Sequence, residues 1–95
     1  MNIEDFEIRI KKYDREKQVV ILNLAIMQIC EVRGFRVRYG KTKYSSDRPV
    51  WIVSPPAVRV GKNYFWIFEI KDNDLWQKLS EKMIQLAKEY TNTHI

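Results

Sequence analysis

Histidine and cysteine are nearly absent from this chain of 95 residues, since each occurs once, as His94 and Cys30. A single cysteine rules out an intramolecular disulfide and is typical of a reducing compartment. One histidine and one cysteine are too few for a zinc site of nitrogen and sulfur ligands within one chain. A histidine so close to the terminus is also a poor candidate for an oriented catalytic base.

Glycine and long apolar runs are also scarce. The three glycines, Gly34, Gly40 and Gly61, are too far apart to form a phosphate-binding loop. The longest apolar stretch, 19–27, is interrupted by Asn23 and is much shorter than the ~20 residues that cross a bilayer. The N-terminal residues are acidic and lack the apolar region of a signal peptide. The sequence therefore predicts a soluble, cytoplasmic protein without a membrane partner or a small-molecule substrate.

One cluster of acidic residues, Glu4, Asp5 and Glu7, could pair for acid–base chemistry. A solvated chain end explains this cluster better, and no serine or cysteine has a histidine near it in the sequence. We therefore expect no enzymatic activity, no cofactor and no metal ion.

The length fits a single domain that spans residues 1–95. Hydrophobic residues make up 45% of the chain and aromatic residues 13%, which is enough for a folded core. A domain of this size buries only roughly 60–65% of its unfolded surface. Association into a homodimer would add buried area, and we expect one.

Hydrophobic periodicity predicts strands in the first part of the chain. Residues 6–11 alternate apolar and charged side chains, as in a half-buried strand. A charged turn at 13–17 follows, and residues 19–29 are apolar at both parities, which suits a central strand.

The apolar positions of the third strand change parity, from Cys30 and Val32 to the set Phe35, Val37 and Tyr39. A β-bulge at Gly34 would keep both sets on the core face. Arg36 and Arg38 would then share the opposite, solvent-facing side. A polar loop is predicted over 40–49.

Shorter strands are predicted at 50–53, 57–60 and 64–70, with prolines between the first two and a turn at 61–63. In the last strand, one face is assigned to Tyr64, Trp66, Phe68 and Ile70. A helix over 74–91 follows, because its apolar residues are spaced by three and four: Trp76, Leu79, Met83, Leu86 and Tyr90. Asp72, Asn73 or Asp74 would cap this helix. The predicted fold is therefore α+β, with a single antiparallel sheet of about five strands and a C-terminal helix.

Positive charge is concentrated in residues 33–62, which contain eight basic residues and one acidic residue, in a chain of net charge +5. Five of the seven arginines lie there, and guanidinium groups form bidentate bonds with phosphate. The residues predicted to contact phosphate lie on a strand, a loop and a hairpin: Arg36, Arg38, Lys41, Lys43, Arg48, Arg59 and Lys62.

Aromatic residues interleave with these cations. Tyr44, in the polar loop, is predicted to stack on a nucleic-acid base, whereas Phe35, Tyr39 and Trp51 are assigned to the core. The aromatic run at 64–68 is assigned to the core or to a dimer interface. Charge alone does not separate nucleic acid from anionic lipid, an acidic protein or a merely solubilising face.

Two motifs resemble the stage V sporulation protein G (SpoVG) family: Gly-Phe-Arg-Val-Arg-Tyr-Gly at residues 34–40 and Val-Trp-Ile-Val-Ser-Pro at 50–55. The order of N-terminal hairpin, motifs and C-terminal helix is similar as well. The resemblance covers nearly the whole chain, as a pattern rather than as identity. It departs at Ser54–Ala57, where the family's basic residue arrives late, in the longer loop at 41–48 and in the aromatic run at 64–68.

The resemblance implies a small α+β homodimer that binds DNA and RNA as a bacterial transcription regulator linked to septation and sporulation. Arg36 falls on the family's strand arginine, and Arg59 falls near its basic residue after the proline. The predicted function is therefore nucleic-acid binding through phosphate contacts. The alternative is a protein-interaction or structural module that dimerises through its sheet edge or aromatic hairpin and does not bind nucleic acid.

Overall fold

Strands from the first half of the chain form an antiparallel sheet in sequential order, and a helix follows a separate hairpin. The computed structural model describes residues 2–40 and 48–94. The four-stranded sheet consists of β1 (Phe6–Asp14), β2 (Val19–Ile26), β3 (Cys30–Gly40) and β4 (Val50–Ser54). The two-stranded hairpin consists of β5 (Ala57–Val60) and β6 (Asn63–Trp66), and the helix is α1 (Asn73–His94). A short 3-10 turn, Ile3–Asp5, precedes β1.

The α+β fold with a C-terminal helix is confirmed, but the strands divide between two sheets. Pro55 and Pro56 separate β4 from β5, and proline cannot donate a hydrogen bond to a strand ladder. The hairpin therefore leaves the plane of the sheet instead of extending it. Its base is held by the Ile67 amide, which donates to the Pro56 carbonyl at 2.9 Å.

The predicted bulge in the third strand is present at Gly34. Arg33 pairs with Asn23 and Phe35 pairs with the next residue of β2, Leu22, so Gly34 is left unpaired. Gly34 has a φ of +98°, a conformation that residues with a Cβ rarely adopt. The extra residue keeps the side chains of Val32 and Phe35 on the same side of the sheet.

The helix covers one face of the four-stranded sheet, which we call the inner face; the opposite side is the outer face. Leu79, Met83 and Ala87 of α1 are fully buried in this layer. They join buried residues from β1 to β3, namely Phe6, Val20, Leu22, Leu24, Phe35 and Val37. Ala87 continues the buried stripe of Leu79 and Met83 at the helical repeat, and the predicted stripe residues Trp76 and Leu86 are partly buried.

Three predicted positions differ from the structure. Cys30 is exposed at the first position of β3, and Ile29 lies in the β2–β3 turn with 82% of its surface exposed, so β2 ends at Ile26. Tyr39 is 51% exposed and packs on Trp51 with ring centroids 5.2 Å apart. Cys30 and Tyr39 lie near the ends of β3, and Ile29 lies in the turn before it, where the helix leaves them exposed.

The last strand is shorter than predicted, because it ends at Trp66. Phe68 and Ile70 follow it in an irregular segment and pack against the core. The Phe68 ring meets Phe35 edge to face, with centroids 5.6 Å apart. The aromatic run is therefore divided between two environments, because Phe68 packs against the core whereas Tyr64 and Trp66 are exposed on the hairpin.

Asp72 caps the helix. Its Oδ1 atom accepts a hydrogen bond from the Leu75 amide at 3.1 Å, the geometry of an N-cap. Within the described residues, no helix has both the length and the apolar character needed to cross a bilayer.

Replacing the cap is expected to have a moderate effect. Asp72→Ala should lower the free energy of unfolding by about 1 kcal/mol, because an amide of the first turn loses its acceptor. Urea denaturation followed by circular dichroism measures the change. Asp74→Ala is the matched control, since it removes a carboxylate from the same turn without removing a cap. Equal losses in the two variants would contradict the assignment.

Candidate nucleic-acid interface

Two arginines of β3 project from the outer face of the sheet. Arg36 pairs with Ile21 of β2 and with Ser54 of β4, and Arg38 pairs with Val19 of β2. Their neighbours on β2 are apolar and cannot compete for the guanidinium groups. A Cβ atom added at Gly40 would lie 3.0 Å from Nη1 of Arg38, so the missing side chain there leaves room for that guanidinium group.

A groove of about 580 Å³ lies between this outer face and the hairpin. One wall carries Arg33, Arg36 and Arg38 from β3. The opposite wall carries Tyr64 and Trp66 from β6. The floor and the remaining lining come from Val19, Ile21, Gly34, Ser54, Pro55, Pro56, Ala57 and Ile67. We call this feature the arginine–aromatic groove.

The groove-facing side of the hairpin follows from its register. Ala57 pairs with Trp66 and Arg59 pairs with Tyr64, so these four side chains share one face. Tyr64 and Trp66 are 68% and 58% exposed. The Arg59 guanidinium lies 5.9 Å from the centre of the Tyr64 ring, a cation–π contact, and its Nε atom donates to the Gly61 carbonyl at 3.0 Å.

The charges of the outer face differ in how far they are neutralised. Arg9 donates to Glu7 at 3.0 Å, and this hydrogen bond holds the pKa of Glu7 below its usual value. Arg33 lies 3.8 Å from Glu31. Arg36 and Arg38 form no ion pair with another residue in the described part of the chain. Arg36 and Arg38 therefore present positive charge to the groove that no carboxylate of the described residues neutralises.

The other predicted phosphate-contacting residues are placed differently. Arg59 lies beside the groove on the hairpin, and Lys62 is exposed in the hairpin turn. Arg48 is exposed just before β4 and does not line the groove. The remaining predicted residues, Lys41, Lys43 and Tyr44, lie outside the described residues. The structure thus brings together Arg36 and Arg38, with Arg59 close by.

Three of the groove residues with charged or aromatic side chains were not predicted as site residues. Arg33 was counted in the basic segment only, and Tyr64 and Trp66 were assigned to a core or dimer face. The proline pair at 55–56 was the signal in the sequence, because it prevents the hairpin from joining the sheet and burying its aromatic rings.

The reverse face of the hairpin is apolar and exposed. Val58, Val60 and Phe65 have 44%, 61% and 54% of their surfaces exposed. Both faces of the hairpin are therefore open to solvent, an unusual situation because an isolated two-stranded hairpin has little stability of its own. We call this second surface the reverse face.

Among the side chains that the structure describes, those of residues 2–40 and 48–92, no group of three or more His, Cys, Asp or Glu is arranged to hold a metal ion. Comparison of the chain with protein-family models, with curated proteins and with solved structures gave no match.

Proposed function

We propose that this protein is a nucleic-acid-binding protein, and that the arginine–aromatic groove is its binding site. The observation that carries the proposal is the convergence of Arg33, Arg36 and Arg38 on one wall of a groove whose other wall is aromatic. Phosphate is the ligand that several guanidinium groups bind together, and nucleobases are the groups that stack on aromatic rings.

The charge distribution favours a polyanion over a small acid. Arg36 and Arg38 are spaced i, i+2 on one strand face and lie about 7 Å apart along the strand. A ligand with repeated anionic groups can engage both, and Arg59 adds a third point on the hairpin. Release of counterions from such a ligand supplies much of the binding free energy.

The resemblance of residues 34–40 and 50–55 to the SpoVG family supports the same proposal, because that family consists of DNA- and RNA-binding regulators. We therefore propose a regulatory, non-enzymatic protein of the cytoplasm that acts as a homodimer and needs no cofactor. Light scattering measures the oligomeric state.

The second candidate function is a protein-interaction module that does not bind nucleic acid. The exposed apolar side chains of the reverse face, Val58, Val60 and Phe65, favour it. This alternative predicts association that depends little on salt and no affinity for DNA or RNA. A single salt titration with labelled oligonucleotides therefore distinguishes the two candidate functions.

The decisive variant is Arg36→Ala with Arg38→Ala. We expect affinity for DNA or RNA to fall by about tenfold or more, because two charged hydrogen-bond donors are lost. The slope of log affinity against log salt should flatten by about 1.5, since each phosphate contact contributes ~0.7–0.9. Fluorescence anisotropy at several salt concentrations measures both quantities.

The matched control is Lys78→Ala with Lys82→Ala, which removes the same net charge from exposed positions of the helix, on the other side of the sheet. We expect this variant to keep most of the affinity. A third variant, Arg36→Lys with Arg38→Lys, keeps the charge and loses the bidentate geometry, so its affinity should be intermediate. If the arginine and helix variants weaken binding equally, the groove is not the binding site.

A further inference from the structure

We propose that the arginine–aromatic groove selects single-stranded nucleic acid, with bases stacked on Tyr64 and Trp66 and phosphates on the arginines of β3. This inference rests on the proposed function and specifies its ligand. Its starting point is the position of two large aromatic side chains that the fold leaves in solvent.

The exposure of these rings is not explained by packing. Tyr64 and Trp66 are 68% and 58% exposed, although Phe68, on the same chain segment, reaches the core. They share one face of β6 at i, i+2 spacing, which places successive rings about 7 Å apart. Two aromatic rings in a row can stack on two successive bases of an extended strand.

The Tyr64 ring has a contact that favours one orientation before any ligand binds. Arg59 lies across the strand pair, with its guanidinium carbon 5.9 Å from the ring centre, and is itself fixed by a hydrogen bond to the Gly61 carbonyl. An ordered aromatic ring loses less conformational entropy on binding than a mobile one. The same arginine keeps a positive charge at the end of the aromatic wall.

The two walls of the groove match the two sides of a single strand. Arg33, Arg36 and Arg38 present donors for phosphate oxygens on one wall, and Tyr64 and Trp66 present flat apolar surfaces on the other. A volume of about 580 Å³ lies in the range of pockets that enclose small organic molecules, ~300–1,000 Å³. It can therefore take a short piece of a strand.

A duplex cannot use both walls. Its bases are paired and stacked on one another, so that only base edges and phosphates face outward. Aromatic side chains reach base faces in single strands, loops and flipped nucleotides. A duplex could contact the arginines but would leave Tyr64 and Trp66 without a role. The aromatic wall therefore predicts a preference for the single strand.

The test compares full-length protein variants on three labelled probes of one length: oligo(dT), oligo(U) and a mixed-sequence DNA duplex. Tyr64→Ala and Trp66→Ala are each expected to weaken single-strand binding by about fivefold or more and to leave duplex affinity within about twofold. Phe65→Ala is the matched control, because Phe65 is an equally exposed aromatic on the reverse face. Phe65→Ala should bind like the parent protein.

Tryptophan fluorescence gives a second readout. Trp66 is 58% exposed, whereas Trp51 and Trp76 are partly buried, so stacking should quench Trp66 above all. We expect oligo(dT) to quench the fluorescence of the parent protein. Most of this quench should be lost in Trp66→Phe, although the phenylalanine ring still stacks and preserves much of the affinity. An unchanged quench in Trp66→Phe would contradict stacking at this position.

The outcomes separate the two proposals. Binding that weakens with the Arg36 and Arg38 variants but not with the Tyr64 and Trp66 variants overturns the single-strand inference and leaves the proposed function standing. Parent protein that binds the duplex as tightly as the single strands also overturns the inference. No binding to any probe overturns both.

Discussion

Phe35→Ala is expected to lower the free energy of unfolding by about 3–5 kcal/mol, the largest stability loss of any substitution considered. Phe35 is fully buried at the centre of the inner face. Its ring meets Phe68 edge to face with centroids 5.6 Å apart, and lies 6.4 Å from the ring of Trp76. Removing it opens a cavity among the sheet, the helix and the segment that joins them.

This loss is large relative to the total free energy of unfolding of a domain of this size. Total stabilities of ~5–15 kcal/mol are typical, so the variant should unfold at a much lower urea concentration. Circular dichroism in urea measures the shift. Phe65→Ala is the same substitution at a residue that is 54% exposed, and should change stability by no more than about 0.5 kcal/mol. Comparable losses would show that the reverse face of the hairpin is buried, as in a homodimer.

The parts of the fold that follow from local pattern were predictable from the sequence. The helix was predicted because Leu79 and Met83 belong to a regular apolar stripe and Asp72 can cap its start. The bulge at Gly34 was predicted because the apolar positions of β3 change parity there. Both features depend on residues only a few positions apart, and the structure confirms both.

The two strands of the hairpin were predicted, but their separation from the main sheet was not. Alternation shows which side chains share a face of a strand, but it does not show which sheet the strand joins. Tyr64, Trp66, Phe68 and Ile70 follow one parity, yet the chain leaves the strand after Trp66. The separation of β5 and β6 from β4 depends on where the chain turns at Pro55 and Pro56, which is a tertiary property.

The candidate site illustrates the same limit. The excess of positive charge could be counted from the sequence, and the parity of β3 correctly placed Arg36 and Arg38 on the exposed face. Whether charges on separate elements converge depends on long-range packing. The structure brings the arginines of β3 opposite β6, while Arg48 lies elsewhere. Arg33 lines the groove because the bulge at Gly34 places it on the outer face, although it has the same parity as the buried Phe35.

The core and the groove are coupled through β3. Phe35 and Val37 are completely buried on the inner face, so Arg36 and Arg38 must project outward. A shift of one residue in register would exchange the two sets and place guanidinium groups in the core. The free energy that buries Phe35 and Val37 therefore also fixes the position of the basic wall.

The second large effect is expected at Gly34, where Gly34→Val should lower the free energy of unfolding by about 2–3 kcal/mol. Its φ of +98° is accessible to glycine and strained for a β-branched residue. A Cβ atom there would lie 3.9 Å from Cβ of Pro56, an ordinary contact, so the loss would come from the backbone rather than from a collision. Urea denaturation measures the change.

Deletion of Gly34 is the informative comparison, and we expect it to be tolerated better than the valine substitution. Arg33 and Phe35 already pair with the consecutive residues Asn23 and Leu22. A continuous ladder without the bulge therefore keeps Phe35 inside and Arg36 and Arg38 in the groove, and binding should retain its salt dependence. If the deletion destabilises the protein more than Gly34→Val, the bulge itself, and not its backbone conformation, is what the fold requires.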